Sequence, residues 1–368
     1  MSSRGVALLE HINLNVPSRA VAHSFYVCAL GGAVHPIGTR KHQLHVNLGI
    51  SQVHLPFAET PADGQGERCE DLGPLGADSW REATPADGSA YVGEPQRMGD
   101  GCVCVLWVRS VDASLARLRA AEGSGALADT SFAFAAAPSE GVDEGGEGQA
   151  LAFKRPGRRT TRWSTEAGAN GEAVRAVRVT CPWGNQFELR EAPEGVRAAL
   201  EPAAIGRHPG GGGDLCLGIA ELNLPLVPPC GGARKLAALY AKAFEAEVAC
   251  GEGEAAIALG PHQTLRFIES GEADPRAYWT QRRVHGWHLC IYVRQWDRAR
   301  ERALTMGLAK PSDRFAALDA PLEPVQFRMT DLVDEQGELL LALEHEVRSL
   351  STRMCPLLEG RESRRDDV

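Results

Sequence analysis

The chain has 368 residues, of which 43% are hydrophobic, with a formal net charge of −9 and an isoelectric point near 5.7. This length allows a large buried core and is typical of two or more domains. The acidic balance excludes nucleic acid and anionic membranes as main partners, because both select clustered Lys and Arg. No apolar run reaches about 18 residues and the first strand pattern begins close to Met1, so we expect a cytoplasmic protein with reduced cysteines.

Four segments of the chain repeat one order of elements: a strand, an amphipathic helix, then two or three strands. The first contains LLEHINLNVP, SRAVAHSFYVCAL and HQLHVNLGISQVHLPFA. The second opens with CVCVLWVRSVDASLARLRAAEG and closes with AVRVTCPWGNQFELREA. The third reads AELNLPL, ARKLAALYAKAFEAEVACGEG and AAIALGPHQTLRFIE, and the fourth runs from WHLCIYVRQWDRARERALTMG to DLVDEQGELLLALEHEV. We therefore predict an α+β protein of four related modules.

The modules group into two domains when they are taken in chain order. The first domain is predicted over 6–200, with modules at about 6–58 and 101–192, and the second over 216–350, with modules at about 216–270 and 284–348. The glycine-rich GRHPGGGGD lies in a predicted linker, 201–215. Segments 59–100 and 138–172 are too poor in apolar residues to pack alone, so we predict long surface insertions there and a polar tail at 351–368.

Several of these pieces resemble the vicinal oxygen chelate superfamily, which includes glyoxalase I, fosfomycin resistance proteins and ring-cleaving extradiol dioxygenases. The matching pieces are EHINLNVP with FYVCALGG, SQVHLPF, PWGNQFELRE and WHLCIYV. The resemblance implies βαβββ modules that pair into curved mixed sheets, each enclosing a cleft. It also implies a divalent metal in the cleft, bound by side chains from the first and last strands of the paired modules, and a small-molecule substrate.

Strand alternation predicts which side chains face a cleft, because alternate residues point to opposite faces. In LLEHINLNVP the apolar Ile12, Leu14 and Val16 share one face, and the other face carries polar residues. The same analysis of the other strands assigns a larger set to the cleft faces, which includes His11, Asn13, His45, Asn47, Gln52, His54, Trp107, Glu188, Glu221, Asn223, Arg266, His288, Tyr292, Glu344 and Glu346.

Two sets of possible metal ligands follow when modules pair in chain order. His11, His54 and Glu188 form the first set, and the resemblance matches each to a family ligand position. The family's fourth position falls on Val103, which cannot bind a metal, so four-ligand glyoxalase chemistry is disfavoured. Glu221, His288 and Glu344 form the second set. The two imidazoles and one carboxylate of the first set suit Fe, Zn, Mn, Ni or Co and leave coordination positions open.

We predict a metal-dependent lyase, isomerase or ring-cleaving dioxygenase that acts on a small oxygenated molecule. Glu188 and Glu344 are the predicted catalytic carboxylates, and the predicted substrate contacts are Asn13, Gln52, Trp107, Arg266 and Tyr292. Arg266 stands where the first module has His54, which suggests recognition of an anionic group. The alternative is a metal-free protein that binds or sequesters a small ligand. Either a monomer or a homodimer is compatible with the sequence.

Overall fold

The computed structural model describes residues 5–35, 43–57, 95–136, 175–206, 215–227, 231–260, 262–270, 287–309, 326–352 and 355. Most of the predicted insertions, the glycine-rich part of the linker and most of the tail lie outside these residues. Within the described residues, the helices are all too short or too polar to cross a membrane.

The first module begins with strand β1 (Val6–Asn13) and helix α1 (Arg19–Ala22), which continues as a π-helix over His23–Ala29. Ser18 caps α1 by accepting a hydrogen bond from the Val21 amide, as Ser commonly does at this position. Three strands complete the module: β2 (Ala33–Val34), β3 (Gln43–Leu48) and β4 (Ser51–Pro56).

The second module repeats this plan and ends in an additional helix. Its elements are β5 (Val103–Val108), α2 (Val111–Gly123), β6 (Ala133–Ala136), β7 (Ala176–Thr180), β8 (Gln186–Glu191) and α3 (Glu194–Gly206). Helix α3 includes residues 201–206, which we had predicted to be linker. Pro202 lies inside this helix, which continues through it.

The third and fourth modules have the same element order. The third contains β9 (Cys216–Val227), α4 (Gly232–Phe244), β10 (Val248–Cys250), β11 (Glu254–Gly260) and β12 (Gln263–Glu269). The fourth contains β13 (His288–Val293), α5 (Trp296–Thr305), β14 (Gln326–Val333) and β15 (Leu339–Ser349).

The four modules pair into two mixed sheets, which confirms the predicted fold class. One sheet has the order β14-β15-β13-β1-β4-β3-β2, and the other has β10-β11-β12-β9-β5-β8-β7-β6. In each sheet the first strands of two modules pair antiparallel, β1 with β13 and β5 with β9. The first module is therefore joined to the fourth, and the second to the third.

This pairing differs from the chain-order pairing that the ligand sets assumed. All four opening strands have buried apolar residues at alternate positions, and this shared feature does not specify which two strands pair. We call the polar face of the β1, β4, β13 and β15 sheet the first cleft, and that of the β5, β8, β9 and β12 sheet the second cleft. The predicted division of the chain near residue 210 stays a prediction.

Alternation correctly predicts which side chains are buried behind the first cleft. Leu44, Val46 and Leu48 of β3 pack in the main hydrophobic core, as do Val53 and Leu55 of β4. Strand β1 departs from alternation, because its pairing with β13 shifts between Leu9 and His11. Such a β-bulge inserts one extra residue, here Glu10, into the strand.

Gln263 of β12 fixes the backbone on the amino side of this bulge. Its Oε1 accepts from the Leu9 amide at 2.9 Å, and its Nε2 donates to the Leu9 carbonyl at 3.0 Å. The same Nε2 lies 3.0 Å from Ser51 Oγ. A side chain of the second sheet thus satisfies backbone groups that the bulge removes from regular pairing.

Candidate metal site in the first cleft

Three donor groups from three strands meet in the first cleft. The donor atoms of His11, His288 and Glu346 all lie within 4.8 Å of one another. Glu346 Oε2 is 3.7 Å from His11 Nε2 and 3.5 Å from His288 Nε2. In a tetrahedral site with bonds near 2.1 Å, neighbouring donors are about 3.4 Å apart. These separations therefore suit a single divalent metal ion.

His11 is held in the form that a metal requires. Because the bulge turns Glu10 to the same side as its neighbour, the Glu10 carboxylate accepts a hydrogen bond from His11 Nδ1 at 2.5 Å. His11 Nε2 is buried and makes no hydrogen bond with the described residues. Burial lowers the pKa of His11 well below its usual value, although the charge of Glu346 opposes the shift. The ring is thus neutral, with its Nε2 lone pair free to bind a metal.

Two buried guanidinium groups hold the Glu346 carboxylate. Arg348 Nε contacts Glu346 Oε1 at 2.5 Å, and Arg328 Nη2 contacts Oε2 at 2.7 Å. Burial by itself raises the pKa of Glu346, but Arg348 and Arg328 outweigh it and keep that pKa well below its usual value. The carboxylate is therefore ionised, as a metal ligand must be.

The charges of this site leave room for a cation. The carboxylates are those of Glu10, Glu344 and Glu346, and the guanidiniums are those of Arg328 and Arg348. The three carboxylates outnumber the two guanidiniums, so their formal charges sum to a negative value. A divalent ion therefore meets an attractive site, and the donor set fits such an ion.

Cys290 gives a second possible donor combination. The donor atoms of Glu10, His11 and Cys290 also lie within 4.8 Å of one another. However, Glu10 is already bonded to His11 Nδ1, and burial raises the pKa of the Cys290 thiol well above its usual value. Because a thiol binds metal as its thiolate, the set with His288 and Glu346 is the better candidate.

His54 lies beside this site as part of a column of three imidazoles. Its ring stacks on His11 with 3.6 Å between centroids and on His45 with 3.7 Å. Its Nε2 is 2.9 Å from Gln52 Oε1. Burial lowers the pKa of His54, and the neighbouring imidazoles lower it further. A ring stacked face to face on His11 is poorly placed to share its metal ion, so His54 supports His11 rather than joining the three donors.

The structure separates the residues of both predicted ligand sets. His11, His54 and His288 lie in the first cleft, whereas Glu188 and Glu221 lie in the second. Expecting His11, His54 and Glu188 to converge was therefore wrong, and so was joining Glu221 to His288. The error follows from the module pairing, since the side chains do lie on the polar faces that alternation predicts.

Glu344 occupies the cleft face but not the donor cluster. It lies opposite His288 in the parallel pairing of β13 with β15, and its Oε1 accepts from Arg328 Nη1 at 2.9 Å. Glu346, two residues later, lies opposite Cys290 and is the carboxylate that reaches the imidazoles. Alternation places both carboxylates on the cleft face, and the prediction took Glu344 instead of Glu346 as the ligand.

The predicted substrate contacts have different surroundings. Asn13 is buried between His54 and His288 in the strand pairing, on the first cleft. Gln52 is used within the protein, because its Nε2 donates to Asn47 Oδ1 at 2.6 Å. Tyr292 is fully buried, and its hydroxyl lies 3.4 Å from Arg348 Nη1. It therefore packs beneath the first cleft instead of forming an exposed wall of another cleft.

The other predicted contacts belong to the second cleft, where carboxylates pair with arginines. Glu188 Oε1 accepts from Arg190 Nη2 at 2.7 Å, and Glu221 Oε1 lies 3.4 Å from Arg266 Nε. Trp107 Nε1 donates to the His262 carbonyl at 3.0 Å. Strands β5 to β12 contain no histidine. The second cleft thus has salt bridges where the first has imidazoles.

Sequence reasoning missed Glu10, Arg328 and Arg348, and it left Glu346 outside the ligand sets. The alternation of Glu344, Glu346 and Arg348 in LEHEVRS was a usable signal for one charged face. Arg328 alternates with buried Met329 in the same way. Glu10 had no signal, because only the bulge brings it to the side of His11.

Comparison with known proteins yields structural similarity alone. No protein-family model matches the sequence, and no curated protein sequence matches it. Glyoxalase I from Zea mays is similar with 10% identity, over 96% of this chain and 94% of that chain, at a TM-score of 0.48. A putative dioxygenase from Bacillus subtilis gives 10% identity, 95% and 87% coverage and a TM-score of 0.48. A variant of homoprotocatechuate 2,3-dioxygenase from B. fuscum has 11% identity, over 94% of this chain and 71% of that chain, at a TM-score of 0.24.

Proposed function

We propose that the chain is a metal-dependent enzyme, with a divalent metal in the first cleft held by His11, His288 and Glu346. The observation that supports this most strongly is the close approach of the three donor groups, with His11 Nε2 buried and making no hydrogen bond among the described residues. Leaving such a nitrogen unpaired costs about 1–3 kcal/mol, which metal binding offsets.

The donor set also favours a reaction class. Two histidines and one carboxylate that leave neighbouring positions open are typical of non-haem iron(II) oxygenases. Such a metal supplies Lewis acidity and, as iron, the ability to activate oxygen. We therefore infer that the substrate is a small molecule with two adjacent oxygen atoms, and that ring-cleaving dioxygenation is favoured over isomerisation or lysis.

Residues around the three donors have separate tasks in this proposal. Glu10 holds the proton on His11 Nδ1, and Arg328 with Arg348 fixes the orientation of Glu346. Glu344 is the candidate for moving a proton, because it borders the donors and keeps 15% of its side chain exposed. Asn13 is the candidate for orienting the substrate, since it lies on the cleft face between two of the histidine strands.

Metal analysis of protein purified without a polyhistidine tag tests the proposal. We expect one equivalent of Fe, Mn, Zn, Ni or Co per chain, and oxygen uptake with catechols after loading with iron(II). His288→Val introduces the residue that the second cleft has at this position, and we expect it to abolish metal binding. His23→Ala, at an exposed histidine, is the control. Wild-type protein that binds none of these metals near stoichiometry contradicts the proposal.

A further inference from the structure

The second cleft contains a buried polar group that its salt bridges leave unused. Asn223 of β9 lies between Leu222 and Leu224, which both pack in the main core, so its side chain points to the opposite, polar face. Its neighbours across the strands on that face are Arg266 and Val103. Asn223 therefore lies on the floor of the second cleft.

The amide oxygen of Asn223 has no hydrogen-bond partner among the described residues. The residue is only 3% exposed, so this oxygen is a buried acceptor. An unpaired buried acceptor costs about 1–3 kcal/mol, and native proteins pair most such groups. A hydrogen-bond donor from a bound molecule would satisfy this oxygen.

The surrounding charges indicate what kind of molecule fits. Arg266 contacts Glu221 at 3.4 Å and Glu254 at 3.2 Å, and Arg190 contacts Glu188 at 2.7 Å. Because the carboxylates and guanidiniums already pair, a charged ligand would have to displace an existing ion pair. A neutral hydroxyl instead donates to a carboxylate or amide oxygen and accepts from a guanidinium without separating them.

The second cleft is also more open than the first. The side chains of Glu188, Arg190, Glu221 and Arg266 are 16–22% exposed, whereas those of Glu346, Arg348 and His11 are 0–11% exposed. These charged groups are therefore in partial contact with solvent. Trp107, partly exposed on the same face of β5, offers an apolar surface farther along the cleft.

We propose that the second cleft is a metal-independent binding site for a small neutral molecule that carries several hydroxyl groups. One ligand hydroxyl donates to Asn223 Oδ1, and others contact the paired Glu221 and Arg266. This site is separate from the proposed metal site of the first cleft and does not depend on it.

Ligand-observed NMR and titration calorimetry in EDTA test this proposal. The probes are the neutral D-glucose, N-acetyl-D-glucosamine and myo-inositol, with putrescine and L-malate as charged comparisons. We expect at least one neutral probe to bind saturably with one site per chain. Asn223→Leu should weaken this binding by about tenfold or more, since it removes the acceptor. His23→Ala, at an exposed histidine outside both clefts, should leave it unchanged.

Asn223→Asp keeps the acceptor oxygen and guards against a folding defect in the leucine variant. We expect it to fold and to retain binding of the same neutral probe. The proposal is overturned if no neutral probe binds, if only putrescine or malate binds, or if Asn223→Asp loses binding as Asn223→Leu does. Unchanged binding in Asn223→Leu overturns it as well.

Discussion

The first and second clefts have the same strand arrangement but different side chains at corresponding positions. The strand pairings match His11 with Glu221, His54 with Arg266, His288 with Val103, and Glu346 with Glu188. At these four positions the first cleft has three imidazoles and one carboxylate, whereas the second cleft has two carboxylates, one arginine and one valine. The comparison teaches that this fold fixes where cleft side chains lie, while a few positions decide between a cluster of metal-ligand side chains and salt bridges.

Each arginine-bound carboxylate can be removed to break this comparison. Glu346→Gln should weaken metal binding more than about 100-fold, which exceeds the usual effect of residues that only support a ligand. Glu188→Gln, at the corresponding position of the second cleft, should leave metal binding unchanged. Metal affinity is measured by competition with a chromogenic chelator. Equal losses in the two variants would contradict the assignment of the metal to the first cleft.

Glu346→Gln also removes a buried partner of Arg328 and Arg348, a change that typically costs about 3–5 kcal/mol of stability. Circular dichroism must therefore show that the variant is folded at the temperature of the metal measurement. His288→Val provides the same comparison while keeping the carboxylate.

Substitution of Glu10 sharpens the comparison, because the second cleft has alanine at the corresponding position, 220. Glu10→Gln weakens the acceptor that fixes the proton on His11 Nδ1, so metal affinity should fall by about 10–100-fold. Glu254→Gln, which changes a carboxylate paired with Arg266, is the control. Unchanged affinity in Glu10→Gln would show that the bulge does not orient His11 for metal binding.

The pH dependence of stability should report the first cleft more than the second. Burial lowers the folded pKa of His11 and His54, and it lowers that of nearby His345 to about 4. Below about pH 6.5 the unfolded chain therefore binds more protons than the folded chain. The free energy of unfolding of the metal-free protein then falls as the pH drops. For His345 the loss continues to about pH 4. Each group contributes up to about 1.4 kcal/mol per pH unit.

Urea unfolding in EDTA at pH 7.5, 6.5 and 5.5 measures this effect. His54→Gln should reduce the slope of unfolding free energy against pH, whereas His23→Gln, at an exposed position, should not. An unchanged slope in His54→Gln would mean that His54 is protonated as easily in the folded chain as in the unfolded one.

Local pattern was enough to predict the modules and the faces of their strands. The alternation of Val53, His54 and Leu55 separated core from cleft, and the same pattern placed His345 on the core side, where it contacts the Tyr240 hydroxyl. Such patterns depend on residues close in sequence, so one chain is sufficient to see them.

Contacts between distant segments were beyond this kind of reasoning. The partner of β1 is β13, and no local pattern in these strands shows that β1 pairs with β13 and not with β5. The bulge at Glu10 depends on Gln263, which is contributed by another module. For this reason we chose Glu188 and not Glu346 as the carboxylate beside His11, although alternation places both on cleft faces.

The joining of the first module to the fourth has a consequence for biosynthesis. His11 is translated before Glu346, and the second and third modules are translated between them. During synthesis the sheet of the second and third modules can form first. The other sheet needs the pairing of β1 with β13, two strands that are separated by the whole of those two modules. In the proposed metal site, all three donors are therefore in place only after the fourth module has left the ribosome.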